Sequence, residues 1–160
     1  MRLAHCALAL LVAVPLAAQA PAHPAAKKAA AALKWGPAPD VFPKGARMAV
    51  VSGDPSQAAP FAVRLAFPAG YRIKPHTHPT AETVRVVSGV LRVGMGEKWK
   101  TAGAMRMAAG DSGTIAANMA HFAWAKGRTT IEVSAMGPFS MTYVNPSDDP
   151  RKPKSVAARK

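Results

Sequence analysis

Cysteine is almost absent from this chain. The single copy, Cys6, excludes an intramolecular disulfide and any zinc site built on cysteine pairs, so metal chemistry falls to His, Asp, Glu or Met. Acidic residues are scarce too, 8 against 21 Lys and Arg. Beyond the first 34 residues no window sustains a capped 3.6-residue apolar period, which argues against a helical domain. No serine nucleophile elbow, phosphate loop or dinucleotide fingerprint occurs, and this removes hydrolase and nucleotide-dependent readings.

The net charge of +13 is unevenly spread. Residues 35–150 hold 12 basic and 8 acidic side chains and so carry only +4; the rest sits at the two ends. With no basic stripe interleaved with aromatics along the middle of the sequence, nucleic acid is not an expected partner. The basic ends read as solvated segments able to touch anionic surfaces. What remains, 160 residues with 49% hydrophobic and 18% charged, suffices for one folded domain.

Residues 1–20 combine Arg2, an apolar run from Ala7 to Ala18 and the small-residue ending Ala18-Gln19-Ala20. That is the pattern of a secretory signal peptide, too short to span a bilayer, and Pro21 leaves cleavage after Ala18, Ala20 or Ala22 open. A periplasmic or secreted location is expected, with no integral membrane span after processing. Residues 21–34 are an Ala/Pro/Lys linker, 35–150 the domain, and 151–160 a basic tail.

Within the domain, short apolar runs alternate with turn residues. Strands are expected at 46–51, 61–67, 71–76, 83–87, 90–94, 105–108, 113–116, 121–124, 129–135 and 139–144. Ser88-Gly89 reads as a two-residue hairpin and Ala109-Gly110-Asp111 as a second turn. The fold class is all-β, a sandwich or small barrel.

His76, His78 and His121 are the histidines of the domain. Separated by one residue in an extended segment, His76 and His78 project from the same face and can reach one ion. Glu82 follows Pro79-Thr80-Ala81, a turn able to swing its carboxylate back toward the imidazoles. The residues themselves therefore supply three ligands, with His121 an unassigned third imidazole.

Here the sequence resembles the cupin superfamily. Gly70, His76, His78, Glu82 and Gly89 fit every spacing of its first motif; Gly110 and His121 fit the second. The second motif is otherwise altered, with Ala116 for proline, Asn118 for glycine and Ala125 for the final asparagine. Phe67-Pro68-Ala69-Gly70-Tyr71, His121-Phe122-Ala123-Trp124-Ala125 and Tyr143-Val144-Asn145-Pro146 are similar to segments of small secreted single-domain cupins of undefined substrate. The resemblance implies a double-stranded β-helix, a jelly-roll barrel, with His76, His78, Glu82 and His121 holding a metal in its mouth. Such a set suits divalent Fe, Mn, Ni, Cu or Zn, and in an octahedral shell it leaves two positions open.

A general base has few sources: Asp54, Glu97, Asp111 or Glu132. Glu132 alone lies in a strong strand. If its face, with Ser134 and Met136, lines the barrel, it is the catalytic candidate; if Ile131, Val133 and Ala135 face inward instead, it is a surface charge. Alternating methionines, Met105 and Met107 with Met119, Met136 and Met141, raise a Cu(I) alternative, against which stands gap-filling in the core. Trp99, Phe122 and Trp124 read as core or interface aromatics, and apolar residues on the outer sheet faces suggest a homodimer.

Two functions follow. One is a metal-dependent dioxygenase-type oxidoreductase acting on a small organic molecule, with isomerase or decarboxylase activity as variants. The other is a non-catalytic binder of a small ligand or metal ion. Because imidazoles must be neutral to ligate, metal content measured after dialysis is expected to fall as the pH drops below the free histidine range near about 6.5.

Overall fold

Apolar residues at every second position give the strands their buried face. In Pro60–Phe67 the buried residues are Phe61, Val63, Leu65 and Phe67, with Ala62, Arg64 and Ala66 between them. The structure, a computed structural model, describes residues 32–152. The expected leader (1–20), the linker through residue 31 and the tail from residue 153 lie outside the described residues.

Eleven strands and one short 3-10 turn are found among the described residues. They are β1 (Gly36–Pro37), β2 (Arg47–Ser52), β3 (Pro60–Phe67), β4 (Arg72–Thr77), β5 (Glu82–Ser88), β6 (Val90–Met95), β7 (Met105–Ala108), β8 (Ser112–Ile115), β9 (His121–Ala125), β10 (Thr129–Met136) and β11 (Thr142–Tyr143). Ten answer to the expected runs, although β11 is far shorter than 139–144. The two-residue β1 carries no alternation by which to recognise it.

The strands form two antiparallel sheets, ordered β1-β2-β3-β10-β5-β8 and β11-β4-β9-β6-β7. From β3 onward almost every connection crosses from one sheet to the other, which is the expected jelly roll; β6 and β7 are the exception and pair as a hairpin. The core lies between the sheets, filled by residues such as Phe61, Val63, Leu65, Ile73, Val84, Val86, Leu91, Ile131 and Val133.

Ser88-Gly89 is not a hairpin. β5 pairs with β10 and β8, while β6 pairs with β7 and β9, so the chain changes sheets there. Gly89, at φ +82°, packs against the backbone of Arg128 and Thr129, and the buried Thr129 hydroxyl donates to the Val90 carbonyl, 3.1 Å away. A sharp corner and a two-residue hairpin both require a glycine at positive φ, so local sequence does not separate them.

The outer faces of the two sheets differ in charge. On the first sheet Glu132 of β10 lies opposite Arg64 of β3 and Arg85 of β5. On the second, Arg72, Trp124, Arg92 and Arg106 stand in cross-strand register on β4, β9, β6 and β7. This basic row interleaved with tryptophan is assembled by the sheet and does not exist along the sequence. Trp99, Phe122 and Trp124 lie outside the main core, clustered on this face, with Trp99 and Phe122 ring centres 4.9 Å apart. The side chains of Arg72 and Lys74 lie over Trp99.

Phe122 is fully buried, its ring laid across Gly94 of the neighbouring strand where any Cβ would overlap it. Gly94→Ala is expected to lower unfolding free energy by about 1–3 kcal/mol through overpacking, measured by urea denaturation.

Candidate metal centre

Both sheets contribute to the site. His76 on β4 and His121 at the start of β9 are register partners in the second sheet. Glu82 opens β5 in the first sheet. His78 lies just beyond β4, where Pro79-Thr80-Ala81 carries the chain across. Strand alternation alone would set Ile73 and His76 on opposite faces, yet both are buried on the inner side. A register shift between them in the β4–β9 pairing reconciles the two, a use of an irregular strand to re-aim a side chain.

The donor atoms of His76, His78, Glu82 and His121 lie within 4.8 Å of one another, and all four residues are buried. Glu82 Oε1 is 2.9 Å from His121 Nε2 and 3.6 Å from His78 Nε2. Each ring is oriented from behind: Nδ1 donates to the carbonyl of Lys74 from His76 (2.7 Å), of Ser140 from His78 (2.6 Å) and of Met119 from His121 (3.1 Å). A carbonyl only accepts, so each Nδ1 is the donor and each Nε2 is the ring nitrogen turned toward the centre.

Burial, reinforced by the neighbouring His121, pushes His76 down to about 3 and keeps its ring neutral. Burial raises Glu82, but the His121 hydrogen bond and the nearby imidazoles outweigh it, and its net shift is downward. An ionised carboxylate with three fixed imidazole nitrogens is a donor set for a divalent first-row transition metal. The residues fit such an ion: the three Nδ1 bonds to carbonyls are compatible with it, and the Glu82–His121 contact is the one it would replace.

The altered second motif keeps its geometry. Asn118, standing for glycine, adopts φ +60°, a left-handed conformation that asparagine tolerates better than most residues. Its N–H donates to the His78 carbonyl at 2.7 Å, so the turn that orients His121 through Met119 also braces His78.

The four residues border a cavity of about 80 Å³. Its remaining wall includes Phe42, Phe61, Leu65, Val84, Ile131 and Val133, and Phe139 packs 5.5 Å from the His78 ring. Phe42 and Phe139, stacked at 5.9 Å, lie outside the observed strands; Phe139 opened the expected run 139–144, but sequence reading assigned neither residue to the site. Phe42 sits in a non-periodic stretch held by two buried phenols. Tyr143 donates to the Val41 carbonyl at 2.9 Å and Tyr71 to the Pro43 carbonyl at 2.6 Å. The lone Val41-Phe42 pair between prolines was the available signal.

Glu132 does not line the cavity. Its neighbours Ile131 and Val133 do, and its carboxylate points outward to Arg64 Nε at 2.9 Å and Arg85 Nη2 at 3.2 Å. Partial burial raises its pKa, but the two guanidinium hydrogen bonds prevail and lower it. The inward-facing condition for a catalytic base is unmet, because the apolar face of β10 takes the core. Asp54 accepts from Ser56 on the surface and Asp111 caps its own turn through the Ala108 N–H. The methionines divide: Met107 and Met141 are buried, whereas Met95, Met105, Met119 and Met136 are exposed, so gap-filling describes only part of the set.

The family profile described as the cupin domain matches residues 63–136, a span containing all four site residues. No curated protein matches the chain. The structure is similar to the polyketide cyclase RemF from Streptomyces resistomycificus, at 15% identity over 74% of this chain and 84% of that one, with a TM-score of 0.61. It is also similar to an acetylacetone dioxygenase from Acinetobacter johnsonii, at 16% identity over 71% and 74% of the two chains and a TM-score of 0.56. A candidate acetylacetone dioxygenase from Methylibium petroleiphilum PM1 gives 23% identity, 72% and 78% coverage and a TM-score of 0.58. At these identities the likeness establishes the fold.

Glu132→Gln is expected to cost at most about 1 kcal/mol at neutral pH and to leave metal content unchanged. A carboxylate with a depressed folded pKa contributes stability above its ordinary value of 4.5, lost as pH falls through the folded value. Thermal melts of the two proteins should therefore differ at neutral pH and converge in acid.

Proposed function

Given that the chain belongs to the cupin superfamily, we propose that it is a metal-dependent oxidoreductase of dioxygenase type, acting on a small organic molecule outside the cytoplasm. The observation that carries this reading is the convergence of three imidazoles, each anchored through Nδ1, and one carboxylate on an otherwise apolar cavity. The two acetylacetone dioxygenase neighbours add support as relatives in fold, and the leader pattern of residues 1–20 supports the location.

Bound at His76, His78, Glu82 and His121, a divalent Fe, Mn, Ni, Cu or Zn would supply Lewis-acid chemistry, and Fe, Mn or Cu redox chemistry as well, with coordination positions left over for a ligand. The chain's own groups do the rest. Nδ1 bonds hold the rings without reorganisation when a ligand enters. Phe42, Phe139 and the aliphatic wall exclude water. Glu82 is the one carboxylate bordering the cavity among the described residues, so a proton released by a substrate there has a Glu82 carboxylate oxygen as its acceptor.

The same scarcity of proton-transfer groups favours a second reading, non-catalytic capture of a small ligand or metal ion. Water exchange on the loaded metal, followed by NMR relaxation, separates the readings: a closed coordination shell favours capture.

His78→Ala combined with His121→Ala is expected to reduce metal content from about one ion per chain to below about a tenth, measured by elemental analysis; full occupancy in the double variant would overturn the ligand assignment. Iron-loaded wild-type protein should consume oxygen with at least one catechol, flavonol, thiol or diketone. Absence of uptake across that series would leave capture as the function.

A further inference from the structure

The outer face of the second sheet takes no part in the metal centre. Its strands β4, β6, β7, β9 and β11 contain no Asp or Glu. Arg72, Arg92 and Arg106 stand in cross-strand register with Trp124, and strands about 4.8 Å apart spread these positions over about 14 Å. Lys74 follows two residues along β4. The loop between β6 and β7 lays Trp99 on this face and brings exposed Lys98 and Lys100 with it, against one acid, Glu97. None of these cations forms an ion pair among the described residues. Arg72 Cζ and Lys74 Nζ lie 5.7 and 5.1 Å from the centre of the Trp99 ring, which holds them in place before any partner arrives. Beside the row, exposed Met95 and Met105 border a surface hollow of about 350 Å³ together with Ala102 and Lys100.

We infer that this face docks on an anionic phospholipid bilayer, with Arg72, Lys74, Arg92 and Arg106 among the lipid phosphates and the Met95–Met105 hollow toward the acyl chains. The cations extend both across and along the strands, so they match a plane of phosphates better than a single polyanionic strand. Single-stranded nucleic acid also needs open ring faces on which bases stack, whereas Trp99 packs against Phe122 and Trp124 and lies under Arg72 and Lys74. A second copy of the chain brings like charge: the same face is basic, and on the opposite one Glu132 is already held by Arg64 and Arg85. Basic side chains near an anionic leaflet add roughly fivefold each to partitioning, and apolar side chains at the headgroup boundary reinforce them. The docking needs no ion in the metal centre.

The test uses the full chain carrying Trp35→Phe, which leaves Trp99 and Trp124 as its indoles. Partitioning is measured by sedimentation with vesicles of phosphatidylcholine, alone or mixed with phosphatidylglycerol, and contact by quenching of indole fluorescence from a nitroxide on the lipid headgroup. The mixed vesicles are expected to bind at least about tenfold more tightly and to quench; Arg72→Gln, Arg92→Gln and Arg106→Gln together should lower that partitioning at least about tenfold, while Lys at the same three positions keeps it within about threefold. Equal partitioning into both vesicles, or an equal loss in the Lys and Gln variants, removes the electrostatic basis and the proposal with it. Binding to mixed vesicles without quenching assigns the contact to the basic ends of the chain and overturns the docking face. Displacement from the vesicles by oligodeoxythymidine at equal phosphate concentration, with binding lost in the Gln variant, gives the face to nucleic acid instead.

Discussion

A carboxylate from one sheet meets imidazoles from the other across the space between them, and the rest of the site depends on that contact. Glu82 opens β5 while His76 and His121 face each other on β4 and β9, so the donors converge only when the sheets close. An ionised carboxylate at this depth is costly unless hydrogen-bonded or charge-balanced. His121 supplies a hydrogen bond, and an ion would supply the balancing charge. Each ring is in turn anchored by a carbonyl from a different segment, Lys74, Ser140 or Met119. The centre therefore draws on β4, the turn before β9 and the segment before β11 together, and loosening any of them costs ligand alignment.

The division of charge between inside and outside follows from the same arrangement. Period-two alternation sends one face of each strand to the core, and on these strands that face is apolar except at the four donors. Tyr71 and Tyr143 extend the enclosure by fixing residues 41–43 over the barrel, and burial pushes the Tyr143 hydroxyl up to about 12. A phenol that stays protonated keeps donating to its carbonyl across the physiological pH range, so the cover over the cavity is insensitive to pH there.

Much of this was legible in sequence, for identifiable reasons. Strong alternation announced β3 and β10, and the spacing of His76, His78 and Glu82 reported a strand followed by a turn, which local periodicity can express. His121 needed the resemblance, since its nearness to His76 is a register fact 45 positions away along the chain. What escaped was non-local or non-periodic. The crossing at Gly89 resembles a hairpin because both need the same backbone conformation. Phe42 carries no pattern, and whether Glu132 faced inward depended on which face of β10 the core claimed. Asn118 looked like decay of a motif, whereas its φ of +60° shows the backbone shape retained with a different side chain.

The arginine row on β4, β6 and β7 has an electrostatic consequence of its own. Arg92 and Arg106 stand directly opposite each other, and like charges so placed repel. No acidic side chain forms an ion pair with either among the described residues. Dissolved ions screen this repulsion, as they screen the attraction of Arg64 and Arg85 for Glu132 on the opposite face. Ionic strength thus stiffens one side of the barrel while relaxing the other, and the molecule's response to salt is a contest between its two surfaces.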